Sequence, residues 1–135
     1  MKEAEYKSLM EYRLEQAREA VRDAELLLGD NRYRATANRL YYACFYAAVA
    51  VLLTRRLQYS KHSAVIAFFD KEFIGSGQLP REYSRTLHRA FNERQQDDYM
   101  PFVEMDADEI NDLYTKGRTF VTGIQEYVEK HGMQA

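Results

Sequence analysis

Residues 38–53, NRLYYACFYAAVAVLL, decide how this chain folds. Leu40, Cys44, Ala47 and Val51 recur at helical spacing, and Tyr42, Phe45, Val49 and Leu52 form a second stripe on another side of the same helix. A helix apolar on more than one side is covered on more than one side. The pattern therefore predicts a central helix over residues 31–54 with other helices laid around it. Upstream, Met10, Leu14, Ala17, Val21, Ala24 and Leu28 make a single stripe, which predicts a helix over residues 3–28 facing one core and ended at Gly29.

Downstream the spacing stays helical. A short third helix starts after Ser60, a suitable N-cap, buries Val65, Phe68, Phe69 and Phe73, and stops at Gly75-Ser76-Gly77. Pro80 suits the first turn of a fourth helix whose buried stripe reads Tyr83, Leu87, Ala90 and Arg94, and Pro101 cannot lie in its interior. Asp106 and Glu109, in capping-box spacing, open a fifth helix carrying Ile110, Leu113, Tyr114, Gly117, Val121, Ile124 and Val128. Only six glycines and two prolines interrupt these patterns, and no linker or repeat divides them. The expected fold is all-α: an antiparallel up-and-down helical bundle of four long helices plus a short one, as a single domain over residues 1–135.

With 135 residues, 46% of them apolar, the chain is large enough to bury a core. Its single cysteine, Cys44, excludes an internal disulfide, and His62, His88 and His131 have no zinc-ligand spacing, so neither metal nor cofactor is expected. The longest apolar run, residues 43–53, falls short of the ~20 residues a membrane helix needs, and Lys2 and Glu3 are unlike a signal peptide. A cytoplasmic protein is expected. Charge is unevenly spread: residues 1–31 hold 5 basic and 8 acidic side chains, residues 32–94 hold 11 and 4, and residues 95–135 hold 3 and 9. A basic middle suits either a phosphate-bearing partner or pairing with the acidic flanks.

Few residues stand out for chemistry. Arg94 continues an apolar stripe one turn before Asp98, so it either closes the fourth helix as an ion pair or presents a planar fork to a phosphate. Residues 38–48 interleave Asn38 and Arg39 with Tyr41, Tyr42, Phe45 and Tyr46; such rings stack nucleobases in single-strand binders, but they also fill helical cores. Core packing is the expectation for Tyr42 and Phe45, less so for Tyr41 and Tyr46. Lys61 and His62, at the start of the third helix, suit an anion or simply a helix cap. Gly75-Ser76-Gly77 lacks the spacing of a phosphate loop. The acids Asp97, Asp98, Glu104, Asp106, Asp108 and Glu109 flank helix ends, where capping and solvation are their ordinary roles.

Three blocks taken together, Asn38-Arg39-Leu40-Tyr41-Tyr42-Ala43, Ser60-Lys61-His62 and Arg94-Gln95-Gln96-Asp97-Asp98-Tyr99, resemble the small stand-alone prokaryotic proteins of the HEPN (higher eukaryotes and prokaryotes nucleotide-binding) superfamily. The resemblance runs from the first helix through the fifth. It implies an antiparallel helical bundle, homodimerisation, and a gene beside a small nucleotidyltransferase in a toxin-antitoxin pair. Many such proteins are metal-independent ribonucleases using an arginine and, a short distance along the same helix, a histidine. In this chain Tyr99 stands in the histidine's place, and a phenol is a poor proton acceptor at neutral pH. The expectation is therefore a homodimer binding RNA or a nucleotide, or a nucleotidyltransferase partner, through Arg94, Asp98 and Tyr99, with Asn38, Lys61 and His62 on the same surface. The alternative is a metal-independent endoribonuclease toxin in which His62 or another group replaces the missing histidine. Arg56 with His62, and Arg81 with His88, repeat the arginine-to-histidine spacing away from the motif position.

Overall fold

A computed structural model describes residues 1–100 and 104–134, with the side chains of residues 97–99 left out of the description. Five α-helices follow one another: α1 (Glu3–Gly29), α2 (Tyr33–Leu53), α3 (His62–Phe69), α4 (Arg81–Tyr99) and α5 (Ala107–His131). Directions follow from which ends meet. Glu3, opening α1, pairs with Arg56 just beyond α2, so these two helices are antiparallel. Glu104, just before α5, accepts the Arg34 backbone N–H in the first turn of α2 at 3.1 Å, while Gln134, past the end of α5, donates its backbone N–H to Thr54 O at 2.8 Å. α5 therefore runs parallel to α2. Tyr83, early in α4, lies against Gly123, late in α5, which makes α4 antiparallel to both. The long helices alternate in direction along the chain, with α3 inserted between α2 and α4, as expected for the up-and-down bundle.

α2 packs against each of the other four helices. Leu40, Ala43, Cys44, Ala47, Ala50, Val51 and Leu53 are all fully buried, and the small residues among them let neighbouring backbones approach closely. Gly117 on α5 serves the same end: a Cβ there would stand 3.3 Å from Leu40 Cδ2. Met10, Leu14, Ala17 and Ala24 on α1 are buried as the stripe predicts, whereas Val21 and Leu28 are only half-buried.

The helix ends depart from the expectation in three places. α1 runs through Gly29, and the left-handed residue beyond it is Asn31 (φ 58°), whose short polar side chain tolerates that region. The N-cap of α3 is Lys61 rather than Ser60. The helical path also continues past Phe69 as a π-helical turn over Asp70–Ile74, which carries Phe73 into the core while Phe68 remains half-buried. Asp106 caps α5 as predicted, accepting the Glu109 N–H at 2.8 Å.

Candidate functional site

The three sequence blocks meet on one side of the bundle. Tyr41 and Tyr42 come from the third turn of α2, His62 from the first position of α3, and Arg94 from the last part of α4. The Arg94 guanidinium carbon lies 5.1 Å from the Tyr41 ring centroid and 5.3 Å from that of Tyr42. Both distances suit attraction of a cation to a ring face. Among the described residues no carboxylate pairs with Arg94; Asp98 and Tyr99, its expected companions, lie outside the described side chains.

Tyr41 is the hinge of this arrangement. It is fully buried, with its ring beside Phe45, Phe91 and Tyr42 and its hydroxyl 2.7 Å from His62 Nδ1. Burial pushes the phenol well above its ordinary pKa, against the opposing pull of the Arg94 charge, so the hydroxyl keeps its proton. A buried O–H must be given to an acceptor, and Nδ1 is the one beside it. This assigns His62 as the tautomer protonated on Nε2. Burial first, and the Arg94 charge second, hold the imidazole below its usual pKa, which keeps it neutral at neutral pH. The Phe45 ring, 4.1 Å away between centroids, covers the imidazole.

The expected ranking of the tyrosines is thereby reversed. Tyr41, rather than Tyr42, is the wholly buried one; Tyr42 and Tyr46 are half-buried with their rings 5.8 Å apart. Helical spacing along α2 gives no sign of this, because what permits Tyr41 to be buried is a hydrogen-bond acceptor on α3. Arg39 also joins the site: its guanidinium carbon lies 5.6 Å from the same Tyr42 ring that Arg94 faces. The Asn38-Arg39 dipeptide carried this signal, yet only Asn38 was expected at the surface. Asn38 is half-buried and lines, with Arg39, a groove at the start of α2. Lys61 is exposed, one residue before His62.

The two decoy arginine–histidine spacings are occupied otherwise. Arg56 pairs with Glu3 and the Gln134 carbonyl, and His88 Nε2 lies 2.6 Å from Asp70 Oδ2. Among the described residues no group of three His, Cys, Asp or Glu side chains is arranged to hold a metal ion, and no helix is long and apolar enough to cross a membrane.

The chain has relatives among known proteins. Over 125 residues the chain is 37% identical to a UPF0332 protein of Thermotoga maritima, covering 93% of this chain and 95% of the relative. It is 33% identical over 126 residues to the "Putative toxin MJ0142" of Methanocaldococcus jannaschii, covering 93% and 86% respectively. A second protein of that archaeon, "Putative toxin MJ0605", is 36% identical over 86 residues, 64% of each chain. The model of the HEPN domain matches residues 10–127, which takes in every element of the Tyr41–His62–Arg94 cluster, and the chain belongs to the HEPN-domain family.

Proposed function

We propose that this protein is the toxin-type member of a two-component pair and that it binds RNA through a phosphate held at Arg94. The observation that carries this reading is the Arg94 guanidinium, set over the Tyr41 and Tyr42 rings with no carboxylate partner among the described residues. The rings orient the cation without neutralising it, and its planar fork matches two phosphate oxygens. His62 adds a second donor through Nε2–H, since Tyr41 already occupies Nδ1. The half-buried faces of Tyr42 and Tyr46 offer stacking surfaces for the attached bases. The working unit is a homodimer in the cytoplasm, two copies presenting two such cation sites to one RNA, and its partner is a nucleotidyltransferase. The two relatives named as toxins support the role in a pair.

One observation favours a catalytic version of the same site. The neutral imidazole of His62 is positioned beside Arg94 by way of Tyr41, in place of the histidine missing from position 99. In metal-independent cleavage the RNA 2′-hydroxyl gives its proton to solvent water as its oxygen bonds to phosphorus, and the bond to the 5′-oxygen breaks, that oxygen taking a proton from solvent; the neutral His62 would serve by donating an Nε2–H hydrogen bond to the phosphate and not as the proton source. Arg94 would hold the charge that builds on the phosphoryl oxygens.

The test is incubation of a labelled structured RNA with purified protein in EDTA, alongside Arg94→Ala and His62→Gln, with a low-salt gel shift of the same samples. Cleavage by the wild type, lost in both variants, makes the protein a ribonuclease. Retention without cleavage, lost in Arg94→Ala, leaves a binder. No retention and no cleavage in low salt, where phosphate contacts are strongest, would end the reading.

A further inference from the structure

At the first turn of α2, Arg32, Arg34, Asn38, Arg39 and Glu104 line an open groove of about 540 Å³, a volume in the range of small-ligand sites. We propose that this groove is a second phosphate subsite, with Arg39 as its main cation, that receives the next phosphate of an RNA strand whose first phosphate sits at Arg94. The inference rests on the reading of Arg94 given above and extends that site along the strand.

Continuity comes from Tyr42. Arg39 and Arg94 both face its ring, at 5.6 and 5.3 Å, so two guanidinium groups from different helices are held on one aromatic platform. Among the described residues no carboxylate pairs with either guanidinium, so both are open to an outside anion. Arg39 is also incompletely satisfied: its Nε is buried and has no hydrogen-bond partner among the described residues. A guanidinium not tied down at Nε is free to turn its outer N–H groups to a phosphate in the groove that Arg39 lines.

Glu104 shows that the groove accepts negative oxygen. Its carboxylate accepts the Arg34 backbone N–H at 3.1 Å, in the first turn of α2 where helix N–H groups and the helix dipole favour an anion. Glu104 is exposed and belongs to the segment entering α5, so it holds this place without being built into the core. A strand phosphate entering the groove meets Arg39 as its attraction and Glu104 as its competitor. The two residues consequently have opposite effects on binding, which a merely structural pair of side chains would not.

Fluorescence anisotropy at low salt with two probes tests this: labelled oligouridylate, which spans both subsites, and the dinucleotide UpU, whose single phosphate fills only the Arg94 position. Arg39→Gln should weaken oligouridylate binding about ten-fold, the loss expected for one charged hydrogen-bonding partner, and reduce its salt slope by about 0.7, the value for one single-strand phosphate contact. Glu104→Gln, at an exposed position that does not endanger folding, should tighten oligouridylate binding about three-fold. Neither change should move UpU affinity, whereas Arg94→Ala should weaken both probes. If Arg94→Ala weakens binding while Arg39→Gln and Glu104→Gln leave oligouridylate unchanged, the second subsite is refuted and the Arg94 site stands. If the two groove variants shift both probes equally, the groove is not a separate subsite. If Arg94→Ala affects neither probe, the Arg94 site falls and the extension with it.

Discussion

Replacing Tyr41 by phenylalanine removes one oxygen from the centre of the site and nothing else. The ring that faces Arg94 at 5.1 Å and packs beside Phe45 and Phe91 remains, so the change isolates the 2.7 Å hydrogen bond to His62 Nδ1. A net intramolecular hydrogen bond is worth about 1 kcal/mol, and leaving the half-buried Nδ1 without a donor adds part of its desolvation cost, so the expected loss is about 1–2 kcal/mol. Urea unfolding at neutral pH measures it directly.

The pH dependence makes the prediction sharper. His62 is held below its ordinary pKa in the fold, so below about pH 6.5 the unfolded chain takes up a proton that the folded chain refuses. Its contribution to stability is therefore complete above that value and is lost as pH falls towards the folded pKa. A hydroxyl donating to Nδ1 can do so only while the imidazole is neutral. The Tyr41→Phe penalty should accordingly be largest at neutral pH and shrink on acidification, and the His62 imidazole of the variant should titrate higher than that of the wild type by NMR. A penalty that grows on acidification would mean that Nδ1–H donates to the phenol oxygen, and would refute both the tautomer and the role assigned to Nε2–H.

Two further expectations concern the packing that holds the site in place. A Cβ at Gly123 would fall 1.7 Å from the Tyr83 hydroxyl oxygen, so Gly123→Ala should lose about 1–3 kcal/mol in urea unfolding despite the better helix propensity of alanine; with Tyr83→Ala already present the same change should become neutral or stabilising, by up to about 1 kcal/mol. Cys44 is fully buried and burial pushes its thiol up to about 12, so a thiol reagent should leave it unlabelled in the native protein and label it only as fast as the chain unfolds.

The bundle was legible because helical spacing records burial directly. The first stripe of α2 is fully buried and the second half covered, with Phe45 and Leu52 buried and Tyr42 and Val49 half-buried, and the order of the helices follows from short connections. Positions where two elements complete each other were less legible. Tyr41 is buried because His62, twenty-one residues later, accepts its hydroxyl proton, and no periodicity within α2 encodes that. Arg39 faces the Tyr42 ring through its own helix, but its importance appears only when Arg94 arrives on that ring from α4. The helical path of the third segment ends before Gly75 and buries Phe73 as its sequence predicts, but its last turn is π-helical, a change that the local composition does not record.

The fate of the basic middle segment connects the fold with the proposed site. The two explanations offered by its charge, internal pairing or a phosphate-bearing partner, apply to different arginines. Arg56 pairs with Glu3 of the acidic first segment, and Arg89 with Asp112 of the acidic last segment at 2.7 Å; Arg55 pairs with Glu72 at 3.0 Å. These contacts join helix to helix and account for the bland part of the asymmetry. Surface ion pairs such as Arg89 with Asp112 contribute little to stability, about 0–1 kcal/mol each, whereas the part-buried Arg55 also bonds the Glu72 carbonyl and covers the Phe73 ring. Arg39 and Arg94 follow the opposite pattern: they are held by aromatic rings, without a carboxylate among the described residues, on the same side of α2. Under the reading proposed above, these two, of the eleven basic residues between positions 32 and 94, are the ones that meet an outside anion at the junction of α2, α3 and α4.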